Sequence, residues 1–591
     1  TVSVTVDPVE DPPTATAGSE TVDEDDSVVI TLAGTDVDGD ALTFAISAGP
    51  TSGGLSGISG NGVGQTATVT YTPTADYNGA DSFDFTVNDG TTTSAAATVS
   101  ITVNAVNDPP AAVDETYDAF GNTELIVVTD LAEPTPALRG PGVRIQGTVV
   151  GNDTDGDGDT LTATAASGQA TAQGGAVDIQ ADGTFVYTPA VGSTTTDTFT
   201  YTVTDGTAND TGTVTINLSN MIWYVDADAA AGGDGRSHTP FDTMPATVGG
   251  AGDIIHVGES ASPTGGAGIT LLDDQKLIGA GVALEVGPGP TQLAATGTAP
   301  VVTSSADGIT LGTDNTVRGL DIGSTSGIGL VGNTGFGTLA MSDVTISGTG
   351  RAISLIGGTM GTLPAGDRHI DSVDVVLAGA GDRAIHTNQL SGALLLGTVD
   401  VTGTGHGVRF TDTGSTTDGV GIDSLDVDVT GIALQAQDLT TLTILNGTVE
   451  QERLHSSGDQ AIDLDNIGSL SLITDSVSSN FSGTGMSVSS TAGVLTVEGP
   501  TSIDSVATTA IVLDDGPDVT FGGPVRAAGR GGLRMTGGAT VSTTGGLQVS
   551  GTSFAGLEVG TGTTINVSGP GSTASSTSNT AVDIAGTIGG S

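Results

Sequence analysis

Cysteine is absent from all 591 residues, so disulfides, thiol chemistry and cysteine-ligated zinc are excluded. A cytosolic protein fits that absence. So does a large bacterial surface protein that is exported unfolded and stabilised by metal. Basic residues are almost as scarce. Thirteen Lys and Arg stand against 68 Asp and Glu, for a net charge of −55, and none precedes Arg139. Phosphate backbones need basic partners, so nucleic acid is excluded as a partner. An anionic membrane surface would repel the chain as well, and its charge must be neutralised by cations or diluted by salt. Aromatics make up 3% of the chain, and no apolar run is long enough to cross a membrane.

Glycine is plentiful, at 93 residues, and one phrase recurs. TVSVTVDPVEDPP at 1–13 returns as TVSITVNAVNDPP at 98–110, with nine of thirteen letters identical. Val2, Val4 and Val6 share one face, as do Val99, Ile101 and Val103, which is the period of a half-buried strand. Asp-Pro-Pro then stops the strand, because proline has no N–H to give a ladder. Each copy reads as a closing strand followed by a stiff acidic hinge. The second copy closes a domain that precedes it. The first is therefore expected to close a domain outside the chain, and the chain to be a window of a longer protein.

Between the phrases, Val28-Ile30-Leu32, Leu42-Phe44-Ile46, Val69-Tyr71 and Phe83-Phe85-Val87 alternate, with turn residues between them. That spacing suits an all-β sandwich of about 100 residues. The plan then repeats. YTPTADYNGADSFDFTVNDG (71–90) returns as YTPAVGSTTTDTFTYTVTDG (187–206), and TDVDGDALTF (35–44) as NDTDGDGDTLTA (152–163). An insertion around EPTPALRG (133–140) lengthens the second unit.

Calcium takes six to eight oxygen ligands, so several carboxylates must converge on it. Asp36, Asp38 and Asp40 alternate in a Gly-containing loop and can bend toward one ion, with Glu10 and Asp11 close by if the hinge enters that end of the sandwich. The same loop without metal would be a turn using Asp for local backbone bonds, as is also open for Asp76, Asp89 and Asp205. The NDPP linker, the acidic pair of TVDEDD, the DxDGD loop and the closing F-x-V-x-DG, in this order twice over, resemble the tandem cadherin-like repeats of bacterial surface proteins and adhesins. The resemblance covers residues 1 to about 220. It implies that Glu24 and Asp25 lie at the far end of the first unit with Asn107 and Asp108, that Asp153, Asp155 and Asp157 face them from the second, and that calcium there stiffens the joint.

At residue 221 the pattern changes. MIWYVDADAAAGGDGRSHTPFDTMPATVGGAGDIIHVGE resembles the opening of secreted right-handed parallel β-helix proteins of the pectate-lyase-like type, with PFDTMPAT expected as a short helix over the open end. Beyond it, a glycine or small residue followed by apolar-x-apolar recurs from GITL (308–311) to AVDI (581–584). Most steps after Ile353 are 22 to 25 residues, and the long step from Ile462 to Ile511 hides a degenerate copy near Met486-Ser487-Val488. A fixed period of this size means a solenoid. Such short strands cannot pack alone, but stacked coils can, each adding roughly 4.8 Å. Ile353, Ile385, Val408, Ile432, Ile462, Ile511, Leu533, Leu557 and Val582 are expected in one inward column.

The expected architecture is all-β: a last strand and linker of a preceding repeat at 1–11, sandwiches at 12–106 and 107–220, and a right-handed parallel β-helix at 221–591, cut off before its polar cap. Chemistry on the coil is thinly supported. Gly405-His406-Gly407 matches the GHG of polygalacturonases, but one coil earlier stands Gly381-Asp382-Arg383 with a single carboxylate, and no Lys follows Lys276. Asp426/Asp428 and Asp463/Asp465 are alternate residues some 6–7 Å apart, near the spacing of an inverting glycosidase pair, yet they point to solvent if Ile462 and Leu464 point inward. After Tyr224 no Tyr or Trp remains to stack on sugars, and His238, His256, His369, His386 and His455 share no metal-like spacing.

The reading is a segment of an extracellular, cell-surface, adhesin-like structural protein: calcium-stiffened stalk domains, then a rigid β-helix, with a surface glycan or protein as ligand, no nucleic acid and no membrane insertion. A secreted polysaccharide-active lyase or hydrolase with accessory sandwiches is the alternative. A self-assembling surface filament is the third.

Overall fold

The computed structural model describes residues 5, 9–62, 64–132, 141–260, 263–286, 291–333, 335–364, 367–411, 419–444, 453–474, 476–481, 484–490, 492–498, 500–505, 509–514, 518–538, 540–551, 557–559, 564–567, 572–576, 582–584 and 587–589. Val2, Val4 and Val6 of the first hinge phrase and the insertion at 133–140 lie outside these residues. All regular structure among the described residues is β.

The first unit is a sandwich of two four-stranded sheets. One sheet runs Thr14–Thr16, Val28–Thr35, Thr66–Pro73, Gly53–Leu55, all antiparallel. The other runs Gly18–Asp23, Ala97–Asn104, Gly79–Asn88, Thr43–Ala48. Alternation decides which residues face in. Ile30 and Leu32 of one sheet and Phe83, Phe85, Val87, Val99 and Ile101 of the other are buried in a single core. The second unit repeats the plan, with a five-stranded sheet around Glu124–Val128 and Phe185–Thr188 facing Asp197–Thr204, Asn209–Val225 and Glu115–Gly121.

Both cores hold the same polar brace. The Tyr71 hydroxyl donates to Asp81 Oδ2 at 2.8 Å, and that of Tyr187 to Asp197 Oδ2 at 2.9 Å. Asp81 also accepts the N–H groups of Thr51 and Ser52 at 3.0 Å, and Asp197 that of Gln173 at 2.7 Å. Burial alone would raise the Asp81 carboxyl, but these hydrogen bonds and that of the Ser82 N–H hold it below its ordinary value.

From Ile254 on, parallel strands stack coil on coil into a β-solenoid of about 11 turns. A late coil shows three faces: Ile462–Ile467, Ser469–Thr474 and Ser476–Phe481 pair with Met486–Ser490, Gly493–Val497 and Thr501–Ser505 of the next. In earlier coils one long strand such as Gly419–Val429 spans two faces, pairing with both Thr441–Ile444 and Arg453–Ser456. A continuous apolar core runs from Val225 to Ile565.

The register gives the inward column as Ile353, Ile385, Val408, Leu434, Ile462, Met486, Ile511, Leu533, Leu557, with Val582 as the next register partner. Met486 fills the degenerate coil. Ile432 is not in the column. Its N–H donates to His406 Nδ1 at 2.9 Å, which keeps it in the turn, so Leu434 takes the inward place. PFDTMPAT forms no helix either. Phe241 and Met244 make isolated parallel bridges to Val225 and Gly266, and Phe241 stacks on Trp223 with centroids 6.1 Å apart. Pro240 and Pro245 take two donors from this stretch.

The end of the coil is covered by the second sandwich itself. Asn209–Val225 is one strand of 17 residues. Its first half pairs antiparallel with Asp197–Thr204 and its last residues pair parallel with Ile254–Val257 of the solenoid. Between Ser219 and Met221 the register shifts, at Asn220 with φ 45°. Ile222, Tyr224, Ile254, Leu284, Val286 and Leu293 belong to the second sandwich's core, so sandwich and coil share one apolar interior.

Candidate metal centre

The linker after the first sandwich carries Asn107 and Asp108 into the loop 155–159 of the second. Asp155 Oδ1 accepts the N–H groups of Asp157 and Asp159 at 3.0 and 3.1 Å, which curls the loop. Asp157 Oδ2 in turn accepts the Asp108 N–H at 2.8 Å. A Cβ on Gly156 would stand 2.5 Å from Asp108 Oδ2, so glycine there is what lets the Asp108 carboxylate approach. Ligand oxygens of Asp155, Asp157 and Asp159 lie within 4.8 Å of one another. Asn107 Nδ2 donates to Asp205 Oδ2 at 2.9 Å, and Asp205 is held below its ordinary value by the Ala208 and Thr207 N–H groups and by Asn107.

The first sandwich supplies the other side. Glu24 is 3% exposed, and its Oε1 accepts the Val106 N–H at 2.7 Å. Burial, then the charges of Asp25, Asp76, Asp157 and Glu24, push the Asp108 carboxyl above its ordinary value. Two sandwiches and their linker thus bring seven carboxylates together, those of Glu24, Asp25, Asp76, Asp108, Asp155, Asp157 and Asp159. Three oxygens in this group, Glu24 Oε2, Asp108 Oδ2 and Asp155 Oδ2, are buried without a hydrogen-bond partner. Buried carboxylate oxygens left unpaired are costly, and a bound cation would offset that cost.

The opposite end of the first sandwich shows the same loop. Asp36 Oδ1 accepts the N–H groups of Asp38, Gly39 and Asp40, and Asp38 Oδ2 accepts that of Asp11 at 3.0 Å. Asp36 Oδ2 is another buried, unpartnered oxygen. Glu10 is pushed up by burial and then by Asp40, Asp38, Asp89 and Asp36.

These two loops set the register. Asp155, Asp157 and Asp159 correspond to Asp36, Asp38 and Asp40, because each triplet ends two residues before an equivalent leucine, Leu42 or Leu161. Asp153 stands apart from the group. Its Oδ1 accepts the Val113 N–H at 2.7 Å and the Tyr201 hydroxyl at 2.8 Å, a brace inside the second sandwich. DTDGDGD contains two overlapping DxDGD frames, and counting back from the leucine distinguishes them. Glu10, Asp11, Asp36, Asp38 and Asp40 are brought together at one end, and Glu24, Asp25, Asn107, Asp108, Asp155 and Asp157 at the other, joined there by Asp76, Asp159 and Asp205.

Among the described residues, the joint between second sandwich and coil carries no such set. Pairing aligns Val28 with Leu125, through their partners Tyr71 and Tyr187, so Glu24 and Asp25 correspond to Gly121 and Asn122. Asp76 corresponds to Gly192, whose N–H donates to Asn122 Oδ1 at 2.8 Å. The Tyr224 and Thr123 hydroxyls, 2.7 Å apart, and a hydrogen bond from the Ser237 N–H to Asn122 O complete a buried seam.

Residues 10–102 match the bacterial Ig domain family, and residues 107–220 the bacterial cadherin-like domain family. The two N-terminal units are bacterial Ig and cadherin-like domains. Cadherin-like domains typically bind calcium, and bacterial Ig and cadherin-like domains are typical of surface or extracellular proteins. Among the described residues no helix is long and apolar enough to cross a membrane. No curated protein matches the chain. Among solved structures, human mucin-like protocadherin EC1-2 is 14% identical, covering 35% of this chain and 98% of its own, with a TM-score of 0.23. Mouse cadherin-23 EC22-24 is 16% identical over 35% and 64%, with a TM-score of 0.23. An endo-fucoidan hydrolase of glycoside hydrolase family 107 is 20% identical over 36% of this chain, with a TM-score of 0.17, and the match spans 29% of that enzyme.

His406 of the GHG match accepts the Ile432 N–H on Nδ1, and Asp382 one coil before it accepts the Gly379 N–H and lies 3.8 Å from Arg351. Asp463 accepts a hydrogen bond from Gln435 at 2.9 Å, with Asp465 exposed beyond it.

Proposed function

We propose that this chain is a segment of a bacterial cell-surface, adhesin-like protein whose first joint is stiffened by calcium and whose second joint is stiff without it. The observation that carries the reading is the convergence of Glu24, Asp25, Asp76, Asp108 and Asp157 from both domains and their linker, with unpartnered buried oxygens at Glu24 and Asp108. Hard carboxylate oxygens with no cysteine in the chain suit calcium rather than zinc. Glu24, Asp25, Asp76, Asp108, Asp155, Asp157 and Asp159 would hold the ion. Its charge would offset repulsion that no nearby Lys or Arg relieves, and it would tie the Ig-like domain to the cadherin-like one. Glu10, Asp11, Asp36, Asp38, Asp40 and Asp89 would serve a second site.

The solenoid then acts as a rigid extension that displays its outer faces. The surface ligand is a glycan or protein, and assembly with further copies of the chain is compatible with this role. Calorimetric titration of the full chain with calcium tests the reading. Binding is expected, weakened strongly by Asp108→Asn and Glu24→Gln. No calcium binding, or binding indifferent to both substitutions, would sink it.

A further inference from the structure

Basic residues are rare in this chain, yet three of its thirteen and two of its six histidines gather on one face of three successive coils. Register stacks His386 on Arg409 and Arg383 on His406, and the coil before places Arg351 in line with Arg383 and Ser354 in line with His386. Neighbouring strands lie about 4.8 Å apart, so stacked side chains can share one small ligand. Ala384 and Ile385 between the two rows are buried, which leaves Arg383 and His386 as the half-buried groups facing out. A depression of about 40 Å³ opens among Arg351, Ser354, Gly381, Arg383 and His386, with Ile328 and Ile353 as its apolar wall.

Among the described residues, counter-charge is sparse at the two central guanidiniums, Arg383 and Arg409. Arg409 Nε is buried without a hydrogen-bond partner. Among the described residues, neither Arg383 nor Arg409 forms an ion pair with a carboxylate. Among the described residues, the acidic groups nearby are Asp382, 3.8 Å from Arg351, Asp459, whose charge acts on His406, and Asp463, which is bound to Gln435 and also feels the charge of Arg409. Burial and then the charge of Arg409 lower Arg383, and burial followed by Arg383 and Arg409 lowers His386. Two guanidiniums held together at this cost mark a place made for an anion.

We propose that Arg383, Arg409 and His386, flanked by Arg351 and His406, bind an oxyanion, the sulfate ester or carboxylate of an acidic polysaccharide. The depression admits one such group rather than a sugar ring. The sugar itself lies along the outer face, where Ser354 and Gln435 continue the ladder and offer hydrogen bonds. The chain's large negative charge does not forbid this. At physiological salt the Debye length is about 8 Å, so carboxylates on distant coils are screened while the local guanidiniums are not. The site lies on the solenoid and does not depend on calcium at the domain joint.

The full chain is titrated at physiological salt with a sulfated oligosaccharide, with an oligogalacturonate and with inorganic sulfate, in chelator as well as in calcium. Saturable binding of one of the two oligosaccharides is expected, and which one binds names the group. The Arg383→Gln/Arg409→Gln double variant, with unchanged melting as its folding control, should bind at least about tenfold more weakly, as expected for lost charge-assisted hydrogen bonds. His386→Gln, a milder change, should weaken binding less. The His386 imidazole resonance should titrate at higher pH once the anion is bound. Binding that survives the double substitution overturns the proposal. So does failure of both oligosaccharides to bind, whether or not inorganic sulfate does.

Discussion

Asp76 and Gly192 occupy the same turn of the two sandwiches, each five residues after its unit's buried tyrosine and each with a left-handed backbone, φ 60° and 72°. Asp76 lends its charge to Asp108 across the first joint, whereas Gly192 donates its N–H to Asn122 inside the second. The same position thus serves an acidic joint, where we propose an ion, in one unit and a buried, hydrogen-bonded one in the next. Four kinds of variant probe the parts of this arrangement.

At the permanent joint, Ile222 is fully buried in the interior shared by the cadherin-like domain and the coil. Ile222→Ala is expected to cost about 2–5 kcal/mol, the range for large-to-small changes in a packed core. Because the interior is shared, sandwich and coil should lose stability together. Hydrogen exchange should rise in both Asn209–Val225 and Ile254–Val257. A loss confined to one side would mean that the shared core does not couple them.

His256 lies edge-on to Tyr224 beside this joint, and burial presses its imidazole down to about 4 from the ordinary 6.5. Below pH 6.5 the unfolded chain takes up a proton that the folded chain refuses. Stability that is fully present above 6.5 therefore declines as pH falls toward 4, by about 3 kcal/mol at most. In His256→Gln, melting followed from pH 7 to 4 should show a correspondingly flatter decline. An unaltered slope would place the titration elsewhere.

The column register is tested by a pair of substitutions. Leu434→Asp puts a charge into a fully buried position and should cost several kcal/mol. Ile432→Asp, in the turn beside His406, should cost far less, within about 1 kcal/mol. Equal costs in thermal melting would restore Ile432 to the column.

The polar braces give the fourth test. Asp197 is 1% exposed and accepts hydrogen bonds from Tyr187, Thr171 and Gln173. Asp197→Ala leaves several donors unpaired and should destabilise the cadherin-like domain by about 3 kcal/mol or more. Asp81→Ala should do the same to the Ig-like domain, whereas an exposed change such as Glu20→Ala should do little. Similar melting for all three would deny the brace.

Strand alternation and coil period were legible because both are set by side-chain burial, which leaves a period of 2 within a strand and near 24 between coils. Met486 could be found for that reason despite its unusual side chain. What local patterns could not decide was register inside a turn. DTDGDGD offers two equivalent frames, and GIAL offers Ile432 or Leu434. A hydrogen bond from a neighbouring coil chose Leu434, and the leucine that follows the loop chose Asp155. The helix expected over PFDTMPAT failed because the sandwich already caps the coil. Nothing near residue 221 announces a cap that arrives from the preceding domain. The cationic face was invisible for a similar reason: Arg383 and Arg409 are 26 residues apart and meet only through stacking.

The central claim is that a cation locks the first joint alone. Because the chain has no cysteine, pairs of spin labels can be placed at single introduced cysteines. Val29 and Thr200 are exposed on the Ig-like and cadherin-like domains, and Leu272 is exposed near the start of the coil. Interspin distances in the full chain are measured with calcium and with chelator. Calcium at a hundred times its dissociation constant would add about 2.7 kcal/mol per site, enough to hold one geometry. The Val29–Thr200 distribution should be narrow with calcium and broad with chelator, while Thr200–Leu272 stays narrow throughout. A Val29–Thr200 distribution that does not respond to calcium would contradict the account.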